Sequence, residues 1–89
     1  MKREQTFKFD GYSGIIVWTA ELVDHPRWYA DTHCDIFIQT KQGYSFFFGV
    51  AHCAKADVFD FQEGQAVSLD YALENADPEL CKCLYDLPL

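Results

Sequence analysis

The chain predicts a small mainly β (α+β) domain: a five-stranded antiparallel, strongly bent sheet or barrel with a short C-terminal helix. Three observations point there. The 89 residues are 49% apolar and 17% aromatic, enough for one buried core and too few for two, so residues 1–89 read as a single domain. Apolar and polar residues alternate over most of the length, which is the period of a strand. Only the segment after Asp77 switches to helical spacing.

The first strand is marked by Phe7 and Phe9, which alternate with Thr6 and Lys8, and Asp10 to Gly14 supplies the turn chemistry that ends it. Ile15 to Val23 is β-branched, aromatic and apolar on both faces, as a central strand would be. A polar loop from Asp24 to Asp31 interrupts the pattern, with Pro26 keeping His25 extended. Thr32 to Thr40 then resumes it.

Thr40-Lys41-Gln42-Gly43-Tyr44 reads as a three-residue hairpin loop with Gly43 in the left-handed position. That loop sets Cys34 opposite Val50, Ile36 opposite Phe48 and Ile38 opposite Phe46, one continuous apolar face drawn from two strands. The other face pairs Phe37 with Phe47 among polar residues, and those rings require a cover or a partner. Phe61 to Gln65 reads as a turn into a fifth, one-sided strand from Ala66 to Leu73, where Val67, Leu69, Tyr71 and Leu73 alternate with Ser68 and Asp70. Asp77 before Pro78 and Glu79 is a helix start, and Leu80, Cys83, Leu84 and Leu87 share one helical face.

Charge is unevenly placed. The formal net charge is −7, and acids balance bases as far as Lys55. Beyond it stand Asp57, Asp60, Glu63, Asp70, Glu74, Asp77, Glu79 and Asp86 against Lys82 alone. An acidic surface argues against non-specific adhesion to nucleic acid or anionic lipid and suits a basic protein partner. The first six residues are polar and charged with no apolar run behind them, and nowhere do about 18 apolar residues stand together, so the sequence predicts a cytoplasmic chain without a membrane partner. Cys34, Cys53, Cys81 and Cys83 then read as reduced thiols.

His33-Cys34, His52-Cys53 and Cys81-Lys82-Cys83 resemble metal-ligand pairs, but neighbouring strand residues point to opposite faces. Cys81 and Cys83 would lie about 200° apart on a helix. With no Cys-x-x-Cys knuckle, neither metal nor cofactor is expected. His, Cys and Asp are also the ingredients of a thiol hydrolase, but Cys34 falls on the predicted core face, and no nucleophile elbow, phosphate-binding Gly-rich loop or His-Glu-x-x-His pattern is present. The sequence predicts no enzyme.

Gly14-Ile15-Ile16-Val17-Trp18, Asp35-Ile36-Phe37-Ile38-Gln39 and Glu63 to Asp70 resemble, in order, pieces of the cold-shock domain. The resemblance implies a five-stranded OB-like barrel that binds single-stranded nucleic acid, with Trp18 and Phe37 stacking on bases. Arg27, Trp28 and Tyr29 in the polar loop are of the types enriched at interface hot spots. Size and charge together favour a non-enzymatic inhibitor or mask of a basic protein, of the immunity, antitoxin or DNA-mimic kind. Its partner-binding residues would be Asp57, Asp60, Glu63, Asp70, Glu74, Asp77 and Glu79 with Trp28 and Tyr29. The cold-shock-like single-strand binder is the alternative.

Overall fold

The computed structural model describes residues 1–88, which form a four-stranded antiparallel sheet with two helices on one of its faces. The strands are β1 (Lys2–Phe9), β2 (Tyr12–Leu22), β3 (Trp28–Thr40) and β4 (Gly43–Ala54), and the helices are α1 (Phe61–Ala72) and α2 (Pro78–Tyr85). The strands follow one another as a meander in the order β1-β2-β3-β4, so β1 and β4 are the two edges. The sheet is open. Four strands stand where five were expected, no barrel closes, and no helix among the described residues is long and apolar enough to cross a membrane.

Both tight turns rest on glycine. Gly11 ends the β1–β2 loop at φ +89°, and Gly43 begins β4 at φ +131°, a region that L side chains rarely adopt. Gly43 pairs directly with Thr40, leaving a two-residue loop of Lys41 and Gln42. The register is therefore displaced by one residue from the sequence expectation: Cys34 faces Gly49, Ile36 faces Phe47 and Phe37 faces Phe46. On β3 the expected face is buried, since Cys34, Ile36 and Ile38 are inside. On β4 it is reversed, with Phe46 and Phe48 outside and Phe47 packed against the core. The reason lies in α1, whose backbone at Ser68 and Ala72 passes so close to β4 that only a residue without Cβ fits at position 49. The expected register would have put Val50 opposite Cys34, where the helix runs.

The expected fifth strand is instead most of α1. Its buried residues, Gln65, Ser68, Leu69 and Ala72, recur at helical spacing, and Leu73 at the C-cap completes the stripe. Asp60 caps the helix by accepting the backbone N–H groups of Gln62 and Glu63. The alternation of Val67, Leu69, Tyr71 and Leu73 satisfies a strand on paper, but in the helix Leu69 and Leu73 are buried while Tyr71 is exposed. The second helix forms as its start signal predicts. Asp77 accepts the Glu79 N–H at 2.9 Å, Pro78 opens the first turn, and Leu80 and Leu84 are buried.

Between sheet and helices lie Phe7, Ile16, Trp18, Cys34, Ile36 and Ile38 from the strands and Leu69, Leu73, Leu80 and Leu84 from the helices. Trp18, at 1% exposure, donates its indole N–H to the Gln65 carbonyl at 3.1 Å. Arg3 closes that corner, with its guanidinium over the Trp18 ring and a 2.7 Å hydrogen bond to the Gln65 side chain.

Candidate binding face

Both helices pack on the even-numbered side of β3, so its odd-numbered residues and their cross-strand neighbours form a face that no element among the described residues covers. The register sets them in rows: Thr6, Ile15, Phe37 and Phe46 in one, Glu4, Val17, Asp35 and Phe48 in the next, Lys2, Thr19, His33 and Val50 beyond. Phe37, Phe46 and Phe48 are 49%, 51% and 64% exposed. The Phe37 and Phe46 rings lie 5.0 Å apart, and Phe48 stacks on Phe46 at 5.9 Å. With half-buried Ile15, Val17 and Val50, these rings form an apolar band across β2, β3 and β4. Thus the sequence pattern of a strand apolar on both sides is real for β2, but a second layer covers only one side. The three rings are contiguous and left in solvent.

One end of this face carries a second aromatic group. Trp28 lies between two imidazoles, with His25 stacked at 3.6 Å and His52 at 4.0 Å between ring centres. His52 Nδ1 is 2.6 Å from Asp31 Oδ1, and His33 Nε2 is 3.0 Å from Glu21 Oε1. Trp28 is thus half-buried and held on both faces. Tyr29 turns away to donate its hydroxyl to the Asp57 carbonyl at 3.0 Å. Its phenol is raised above the ordinary range, chiefly by desolvation and then by the Cys53 thiol beside it.

The seven acids expected to meet a partner are all exposed, but they belong to the helical layer and its loops rather than to the aromatic face. Asp60 and Asp77 cap the two helices, and Glu63 and Glu79 occupy their first turns, where a carboxylate opposes the helix dipole. Asp70 accepts the Tyr85 hydroxyl at 2.7 Å; burial first and this carboxylate second push the Tyr85 phenol up to about 12. Glu74 follows the end of α1. Asp57, Asp60 and Glu63 do come together, around an open pocket of about 370 Å³ with Thr32, Cys53 and Val67 at its wall. His52 also lines this pocket, so it joins the acid-rimmed hollow to the end of the open face.

Of the two residues that the cold-shock resemblance assigns to base stacking, Phe37 is on the open face and Trp18 is in the core. Phe46, Phe48 and the imidazoles around Trp28 do not stand out in the sequence as binding residues, where His52 suggests only a metal-ligand pair with Cys53. Phe46 and Phe48 sat on the wrong face in the expected register, and the His52 stack is defined only once β3 and β4 are aligned.

His33 and Cys34 point to opposite faces, and the buried Cys34 thiol is pushed up to about 12 by desolvation and by Asp35. Neither carboxylate-paired imidazole is hydrogen-bonded to a hydroxyl or thiol. The four cysteines are free, and among the described residues no three His, Cys, Asp or Glu side chains converge as a metal site would need. No protein-family model, curated protein or solved structure matches the chain.

Proposed function

We propose that this protein is a non-enzymatic binding module that docks on, and thereby masks or inhibits, a basic protein. The observation that supports this best is the uncovered aromatic band of Phe37, Phe46 and Phe48 on the helix-free face. Burying such rings is the main energetic gain open to this molecule, since an aromatic side chain brings 150–250 Å² to an interface at roughly 25 cal/mol per Å². The surrounding charge selects the partner. Glu4, Glu21, Asp31 and Asp35 share the face with Lys2 and Lys8, Asp57, Asp60 and Glu63 rim the adjoining pocket, and the whole chain carries −7. A cationic protein with an apolar patch matches that surface; a polyphosphate backbone is repelled by it.

The test compares tagged protein with its Phe48→Asp variant as baits in extract of the native host, followed by identification of retained proteins and their stoichiometry. The expected result is one basic protein held in equimolar amount and lost with Phe48→Asp. Fluorescence anisotropy with labelled 20-mer poly(dT) and poly(U) is the counter-test. Micromolar binding to either one, abolished by Phe37→Ala, would establish the single-strand binder instead.

A further inference from the structure

We infer that the free edge of β4 pairs with the same edge of a second copy of this chain, joining two sheets into one of eight strands. The two edges of the sheet differ in kind. Along β1, Lys2, Arg3 and Glu4 at its start and Lys8 near its end carry charge, the usual protection of an edge against adding another strand. Along β4, the run Gly43 to Ala51 contains no charged residue and no proline, and it is Tyr44-Ser45-Phe46-Phe47-Phe48-Gly49-Val50 at its centre. An edge this long, apolar and unguarded is a template for pairing.

Its backbone is available. The two-residue loop makes Thr40 and Gly43 the closing pair, which is hydrogen-bonded in such hairpins, and antiparallel pairing alternates from there. Residues 45, 47, 49 and 51 therefore bond inward to β3, whereas the N–H and C=O groups of Tyr44, Phe46, Phe48 and Val50 point away from the sheet. Among the described residues, no hydrogen bond from a helix or loop reaches the backbone of Tyr44 to His52. The helix α1 meets the inner face of β4 at Gly49.

The occupant follows from self-complementarity. Two β4 edges run antiparallel about a two-fold axis, and an isologous contact needs a surface that matches itself. Centred on Phe47, such an axis sets Phe46 of one copy against Phe48 of the other, so the free backbone groups meet and the two aromatic bands become one. Neither edge brings a charge that would repel its copy. The pairing leaves the open face free and doubles it, so it stands apart from the proposed partner.

Sedimentation equilibrium across 1–200 µM, with the intact chain, tests this directly. The wild type should weigh twice its 10.3 kDa. Phe46→Lys combined with Phe48→Lys should halve that mass with an unchanged far-ultraviolet circular dichroism spectrum, whereas Phe37→Lys, which charges the face but not the edge, should stay dimeric. Amide hydrogen exchange decides independently of any variant: the Phe46 and Phe48 amides of the wild type should slow as protein concentration rises. A wild type that is monomeric throughout, a dimer broken by Phe37→Lys but not by the edge lysines, or fast exchange at Phe46 and Phe48 at every concentration overturns the inference.

Discussion

Gly49 of β4 and Ser68 of α1 meet backbone to backbone: a Cβ added to Gly49 would collide with the Ser68 carbonyl and the Ala72 amide and press on the Tyr71 Cβ. Neither backbone is free to yield, because one is in the sheet ladder and the other in mid-helix. Gly49→Ala should therefore destabilise the fold by about 1–3 kcal/mol, the usual cost of overpacking. Thermal melts should show it as a drop of about 4–8 °C per kcal/mol for a domain of this size. Ser45→Ala, exposed on the same strand, should leave the midpoint nearly unmoved.

The helix caps give a second expectation. Asp60 and Asp77 each accept backbone N–H groups at a helix start, so Asp60→Ala and Asp77→Ala should each cost about 1 kcal/mol in denaturant unfolding. Asp57→Asn and Glu74→Gln remove equal charge but no cap, and should change stability by less than about 0.5 kcal/mol. Equal losses in all four variants would mean that net charge, not capping, governs stability here.

These caps also show what was legible in the sequence. Asp77 with Pro78 named its helix outright, because proline at the first position has few other readings. Asp60 with Glu63 three residues later carries the same kind of signal, but the alternation of Val67, Leu69, Tyr71 and Leu73 outweighed it. In an eight-residue window, i and i+4 lie on one side of a strand and of a helix alike, and only the buried Gln65 and Ser68 distinguish them. The β4 register was illegible for a related reason. Phe46, Phe47 and Phe48 are all apolar, so hydrophobicity could not say which ring faces inward, and a glycine at 49 decided it through a helix whose position was unknown. Phe37 was legible as a ring that needs a cover or a partner, but which of the two it has, and the band it belongs to, were not.

A third expectation concerns alkaline pH. The Cys34 thiol is held up to about 12, by burial first and by Asp35 second. The unfolded chain releases that proton from about pH 8.5, so above this point the unfolded state binds fewer protons than the folded one and stability falls as pH rises. The stabilisation is fully present below about pH 8.5 and is lost progressively toward 12. Tyr85, also raised to about 12, adds a loss of the same sign beginning near pH 10. Urea midpoints at pH 8, 9 and 10 should decline, and Cys34→Ala should decline less steeply from a lower starting value. Iodoacetamide at pH 8 should spare Cys34 in the native protein and modify it in urea.

The fourth expectation separates the two surfaces in binding kinetics. The aromatic band contributes by desolvation after contact, whereas Asp57, Glu63 and Glu74 are exposed and act through a field that salt screens within about 10 Å at 0.1 M. With the basic protein retained by the wild-type bait, a triple Asp57→Asn, Glu63→Gln, Glu74→Gln variant should associate more slowly at low salt, by about an order of magnitude, and approach the wild-type rate as salt is raised. Its dissociation rate should barely change, and both helices should persist because Asp60 and Asp77 keep their caps. Phe48→Ala should do the reverse, leaving association close to normal and speeding dissociation by about tenfold or more, the effect of truncating a buried aromatic anchor. Stopped-flow association and competition-chase dissociation at two ionic strengths measure the four rates. If the triple variant instead dissociates faster and Phe48→Ala is neutral, the partner sits on the helical layer and not on the open face.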